Sequence, residues 1–421
     1  MCLKTIIKLI VDIKAGVSEL DEERKKSLLL SCLVMFILLF TYPIIRSTVT
    51  SIFLTGFGAE KTPLVWLYSI IGLSISITLY SKFQIQLSIQ KLFQITVLLS
   101  FLFFIFSIYA LENGLNWWAY PLFIWKEIYI VLLIHLTLGF INTILVESEA
   151  KILFGPLGAI SSVGGIIGGL LTTKLTYSYS SLTILIIGSS ILLISGLVFN
   201  FTSRKFCLSH NKDLSKKSKV SPLSSIRYIK KFVFLLALIV LLSQFVINLA
   251  NFKFNLIFNS LVPDKLEKTR RLGTIYAYIN IVSLCTQIFI IPMAFQFFKL
   301  KTVHNFIPVF YSIIALGGLI LGGNILAPVA GAFILFKGLD YSLFSAAKEL
   351  LYFPLAAEQK YGAKYIVDMI IYRFGKGLIS LLLIFFQSSI FVNSLLAISL
   401  CAWIICLQQF HKESANIQSQ K

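Results

Sequence analysis

Apolar stretches of about twenty residues recur along the whole chain, and each is long enough to cross a bilayer as a helix. Twelve such stretches stand near 27–46, 62–80, 92–110, 118–141, 152–173, 181–201, 232–257, 273–298, 304–321, 327–345, 366–387 and 394–410. Of 421 residues, 57% are apolar or aromatic and only 13% are charged. A soluble domain of this size carries roughly 45–50% apolar and about 25% charged residues. An ordinary soluble enzyme, a disordered chain and a disulfide scaffold are thereby excluded. Runs this long and continuous exceed any barrel strand, so the spans are helices. The expected fold is an all-α polytopic membrane protein of twelve transmembrane helices in two six-helix halves.

The 37 basic and 18 acidic residues leave a net charge of +19. In a membrane protein the excess marks the inner loops, which collect Lys and Arg. With both termini inside, inner segments hold about four times as many basic residues as outer loops, which sets the expected orientation. Residues 1–26 read as an amphipathic inner segment, with Ile6, Ile7, Ile10 and Ile13 interspersed among Lys4, Lys8 and Lys14. The longest hydrophilic stretch, 202–231, carries nine basic residues and separates a first half at 27–201 from a second at 232–410. Facing anionic lipid, it is a solvated linker and gives no ground for a nucleic-acid partner. Residues 411–421 form an inner tail. The six cysteines contain no CxxC pair, so neither a metal site nor a disulfide framework is implied.

The two halves resemble each other at one junction. After span four the chain reads Ser148-Glu149-Ala150-Lys151 and then Pro156-Leu157; after span ten it reads Ser345-Ala346-Ala347-Lys348 and then Pro354-Leu355. The offset is close to half the chain. Parallel six-helix repeats describe a transporter with its substrate site at the repeat interface.

Charges inside the spans point the same way. An ionised residue near mid-bilayer costs about 2.5–3.5 kcal/mol on insertion scales, so it faces a partner or a watery cavity. Span four carries Lys126, Glu127 and His135; span ten carries Lys337 and Asp340 three apart on one face. Span eleven and its approach carry Lys364, Asp368, Arg373 and Lys376. Arg373 and Lys376 lie about 60° apart around a helix axis and repel unless an anion joins them. A phosphate or carboxylate does so, and Arg suits phosphate oxygens bidentately. Asn280 and Gln287 in span eight either line the same cavity or make interhelical hydrogen bonds. Gly164-Gly165-Ile-Ile-Gly168-Gly169 in span five holds two overlapping GxxxG motifs, which favour close helix packing. No phosphate loop, HExxH or GxSxG occurs, so this chain drives transport by a gradient or by exchange rather than as an enzyme, and needs no cofactor.

The stretch Asp340-Tyr-Ser-Leu-Phe344, with Lys348-Glu349, Tyr352 and Pro354-Leu355, resembles a signature of the ATP/ADP translocases of plastids and intracellular bacteria, which reads K-Y-S-L-F-D-P-x-K-E-x-x-Y-I-P-L. The likeness runs on through Lys364, Asp368 and Arg373-Phe-Gly-Lys376. Gly58-Ala59-Glu60, Gly139-Phe140-x-Asn142 and Glu149-Ala150-Lys151 resemble further family motifs in the first half. The resemblance implies a major-facilitator-like carrier that exchanges nucleotides across a bacterial inner membrane by alternating access, acting as a monomer. It places Arg373, Lys376, Asp368 and Lys364 toward the substrate, with Asn280 and Trp66 beside them. Glu149, Lys151, Lys348, Glu349 and Arg46 are then gating residues, whose ion pairs form and break as the halves rock.

Departures from the family pattern bear on the cargo. Leu64-Val65-Trp66 stands where the family has Phe-Leu-Lys, and Val49-Thr50 stands where it has Lys-Asp. Asn251 replaces an acid, and Asp340 replaces the Lys before Tyr-Ser-Leu-Phe. With fewer cations, a different organic anion or a neutral metabolite moved by the same fold, with or without proton coupling, is the second expectation. A non-transporting scaffold or sensor is the third.

Overall fold

The computed structural model describes residues 20–84, 86–202 and 229–419. Most of the amphipathic N-terminal segment and of the basic linker lies outside the described residues. Lipid offers no hydrogen bonds, so the backbone closes on itself as helix. In order these are α1 (Glu22–Phe57), α2 (Thr62–Phe83), α3 (Ile89–Glu112), α4 (Ala119–Ile144), α5 (Glu147–Leu175), α6 (Ser181–Asn200), α7 (Lys230–Leu261) and α8 (Lys265–Cys285). They continue with α9 (Leu300–Ile314), α10 (Leu326–Leu339), α11 (Tyr372–Phe385) and α12 (Ser389–Ser419). Asp21, Ser88, Ser180 and Asp264 cap α1, α3, α6 and α8 with side-chain oxygens that accept backbone N–H bonds. Gly58 ends α1 at φ 78°, a conformation that few residues other than glycine adopt easily.

Eleven helices among the described residues are long and apolar enough to cross a membrane, one fewer than the sequence leads one to expect. The exception is α11. The chain is helical from 357 to 385, but Lys360, Lys364, Asp368, Arg373 and Lys376 all fall within it. Four helices are interrupted or preceded by π-helical turns, at Thr286–Ile290, Ala315–Ile320, Asp340–Phe344 and Tyr365–Ile371. Such turns are rare and frequent at functional sites. Nothing in the apolar pattern announces them.

The chain forms two compact units that are interleaved in sequence. The first comprises residues up to Gly58, Ile71–Lys217 and Val262–Ile288; the second comprises Ala59–Ile70, Ser218–Leu261 and the remainder from Phe289. The repeat reading assigns Val262–Ile288 to the second half, yet its contacts are made with the first unit.

The glycines of α5 are the reason. They face two ways: a Cβ on Gly164 would stand 2.5 Å from the Phe36 carbonyl of α1, and one on Gly168 would overlap the Phe40 carbonyl. On the adjacent face, a Cβ on Gly169 would stand 2.6 Å from the Gly273 carbonyl of α8. Thr173 and Thr274 close this seam with a hydroxyl pair at 2.9 Å. The GxxxG spacing therefore packs α5 against α1 and α8 at once.

The second unit is built around α7, which packs on α10, α11 and α12. Phe254 of α7 stacks on Phe333 of α10 at 4.3 Å, and the Lys253 ammonium donates to Asn393 of α12 at 2.6 Å. Trp403, buried, meets Tyr311 and Phe344 edge-on. Hydroxyls such as those of Ser31, Thr48, Ser69 and Thr137 donate to the carbonyl four residues back, which satisfies them without a partner helix.

Substituting Gly168 or Gly169 by Leu is expected to cost about 1–3 kcal/mol through overpacking. Gly155→Ala on the same helix, where nothing lies within 4 Å, should hold or raise stability. Thermal unfolding in detergent compares the three.

Candidate transport site

The charged residues of the second unit gather where α10 ends and α11 begins. After α10 and its π turn, Ser345–Leu351 completes a helix that carries Lys348 and Glu349. The chain turns at Tyr352–Ala356 and re-enters helix at Ala357–Lys364. This folds two charged stretches onto each other. Lys348 donates to Asp368 at 2.7 Å, and Lys364 pairs with Glu349. The Tyr352 hydroxyl also donates to Asp368, at 3.1 Å. Burial, helped by that carboxylate, pushes the Tyr352 phenol above its ordinary range, so it stays a donor at any physiological pH. Both acidic partners thus belong to cations of the same unit.

Further along α11, Arg373 and Lys376 stand on one face. Arg373 is half-buried and makes no hydrogen bond or ion pair among the described residues. Lys376 places its ammonium 5.6 Å from the centre of the Trp66 ring, which is 3% exposed. The aromatic that stands where the family has a lysine therefore offers a π face to a cation. Gly375, between the two, lets α11 approach α7: a Cβ there would lie 3.0 Å from that of Gln244.

In the first unit Glu149 is held by Arg24, whose guanidinium forks onto both carboxylate oxygens. The Arg24 Nε donates to the Ile144 carbonyl at 2.8 Å, and Glu149 also accepts the Val146 backbone N–H at 2.9 Å. One arginine thereby ties the start of α1 to the α4–α5 junction. Arg24 escaped the reading of the sequence, and its only signal was a cation just beyond the Asp21 cap. Arg46 lies over the rings of Tyr276, at 4.3 Å, and Tyr42, at 5.4 Å. The side chain of Lys151 lies outside those described.

The ion pair of Glu149 closes within the first unit, and those of Lys348 and Glu349 close within the second. Asn280 belongs to the first unit, whereas the α11 cations belong to the second. Its amide donates to the Tyr276 carbonyl of its own helix, and its side chain fills the space beside Gly165. Gln287 likewise bonds Ser283 on its own helix.

A charged face on a helix otherwise set among apolar ones, in a protein of many spans, is the build of a solute carrier, and solved structures share the architecture. The nucleoside transporter NupG superposes with a TM-score of 0.62 at 12% identity, covering 93% of this chain and 99% of its own. The major facilitator superfamily transporter FucP gives 0.54 at 14% identity, over 90% and 98%. The fold is that of a major-facilitator-like membrane transporter, not an enzyme. The model of the TLC ATP/ADP transporter family matches residues 17–115 and 281–414, and the chain belongs to that family. ADP,ATP carrier protein 3 of Rickettsia prowazekii (strain Madrid E) is 25% identical over 464 residues, covering 90% of each protein. Arg46, Trp66 and the α10–α11 residues fall inside the matched segments; Glu149, Lys151 and Asn280 fall outside.

A double-mutant cycle on Lys348→Met and Asp368→Asn is expected to show a coupling of about 1–2 kcal/mol, between that of an exposed and a fully buried pair. Arg24→Ala should destabilise by more than Glu149→Gln, because only the former also strips the Ile144 carbonyl of its donor. Denaturation midpoints of the purified variants check both.

Proposed function

We propose that this protein exchanges nucleotides of the ATP/ADP type across a bacterial inner membrane by alternating access between its two six-helix halves. The observation that carries the reading is Arg373: a half-buried guanidinium with no counter-ion among the described residues, one turn from Lys376, inside a family of ATP/ADP transporters. An uncompensated cation in such a place is stabilised when a mobile anion arrives, and a polyphosphate supplies oxygens for both side chains. Trp66 gives the bound anion an aromatic neighbour and keeps Lys376 aligned while the site is empty.

The pairs Lys348–Asp368, Lys364–Glu349 and Arg24–Glu149 act as latches in this scheme. Each holds a helix junction in one arrangement, and its rupture frees the junction to move. Lys151 and Arg46 complete the set of gating residues in this reading. Both termini and the basic linker lie on the cytoplasmic side, and one chain suffices for transport. Movement of another organic anion is the second reading, favoured by Trp66 standing in place of a cation.

Exchange is measured with proteoliposomes preloaded with ADP and supplied with labelled ATP. Saturable uptake that requires internal nucleotide is expected; its absence for every nucleotide would sink the reading. Arg373→Ala and Lys376→Ala should each weaken transport by roughly tenfold or more, the equivalent of about 1.5–3 kcal/mol per charged hydrogen bond. Arg373→Lys should recover only part of the loss, since it keeps charge without the bidentate fork.

A further inference from the structure

A cavity of about 250 Å³ opens in the second unit, lined by Asp340, Tyr341, Phe344, Ser345, Lys348 and Tyr372. Three of its lining residues, Asp340, Tyr341 and Phe344, belong to the π turn Asp340–Phe344, which interrupts the helical ladder. Asp340 is 6% exposed, yet its carboxylate makes no hydrogen bond or ion pair among the described residues. Lys337 and Lys348 act on it through their charge, and neither donates a hydrogen bond to it among the described residues. Lys348 bonds Asp368, and the Lys337 ammonium sits 5.7 Å from the centre of the Tyr341 ring. Nearby positive charge does not replace the hydrogen bonds a carboxylate makes in water, and the remaining cost of burial is offset when something in the cavity donates to it.

The chemistry of that donor is restricted. Asp340 repels phosphate, and Lys348, the cation in the lining, is already bonded to Asp368, so the cavity favours a neutral hydrogen-bond donor over a polyphosphate. An ionised carboxylate accepts only, through two oxygens set side by side. Two adjacent hydroxyls match that spacing, and acidic side chains hold ribose hydroxyls in this way in dinucleotide-binding folds. Ser345 and the tyrosine rings surround the acid with a small polar and aromatic wall, and the volume suits a sugar rather than a whole nucleotide. Tyr372 lines the cavity, and Arg373 follows it at the start of α11.

We propose that this cavity is a specificity subsite for the vicinal diol of the ribose, with Asp340 accepting hydrogen bonds from both hydroxyls. The proposal rests on the nucleotide reading above. It makes this carrier more dependent on the sugar, and less on phosphate contacts, than a site with a lysine in this place.

The test is competition against labelled ADP on the purified full-length protein, using ADP, 2′-deoxy-ADP and 2′,3′-dideoxy-ADP. In the native protein dideoxy-ADP should compete roughly tenfold or more worse than ADP, with 2′-deoxy-ADP between them. Asp340→Ala should bring ADP down to the level of dideoxy-ADP, and Asp340→Asn should fall between. Because the buried acid accepts no hydrogen bond among the described residues when the site is empty, Asp340→Ala should not lower the unfolding temperature; a drop would mark a structural role in balancing Lys337 and Lys348 and count against the subsite. Equal competition by ADP and dideoxy-ADP in the native protein would overturn the subsite alone. Failure of ADP itself to bind would overturn the nucleotide reading and the subsite with it.

Discussion

A bilayer gives an ionised side chain no water, and that single constraint arranges most of what is distinctive in this protein. Every charge carried into the helices either finds a partner or waits for one. Lys126 pairs with Glu127 at 2.6 Å and rests over the Phe123 ring. Lys348, Glu349, Lys364 and Asp368 resolve into two ion pairs. Against this background, Arg373 makes no hydrogen bond or ion pair among the described residues, and Asp340, beside Lys337 and Lys348, accepts no hydrogen bond among them. A carrier needs such groups, because a site already neutral has nothing to gain from its cargo.

The second organising element is the smooth seam along α5. Four glycines on two adjacent faces let backbone approach backbone on both sides, with α1 on one and α8 on the other. Contacts of this kind hold by dispersion and fit rather than by interlocking side chains, and they tolerate small sliding motions. They also explain why Val262–Ile288 groups with residues far from it in sequence.

Much of the fold was legible before any coordinates. Runs such as 232–257 and 394–410 announce spans because lipid demands apolar surface along a whole helix. Charges at Arg373 and Lys376 call for an explanation because they interrupt such a run. The pairing of Arg24 with Glu149 was not legible: 125 residues separate the partners, and no local pattern links the start of one helix to the junction of two others. Asn280 shows a related limit. A polar residue in a span is conspicuous, but whether it meets cargo or bonds its own helix depends on what packs beside it. In α11 the expected span is helical, and its own charges keep it from meeting the demand on apolar length.

Sequence by itself determined the membrane class, the helices and the residues whose charge requires an explanation, because those follow from transfer free energies that act residue by residue. It also carried the family signature at Asp340–Leu355. Tertiary structure alone decided which charges are neutralised and which stay open, where the π turns fall, and that Asp340 borders a cavity. Those outcomes depend on distances between helices, and a distance between two helices is a property of their packing, not of either segment alone.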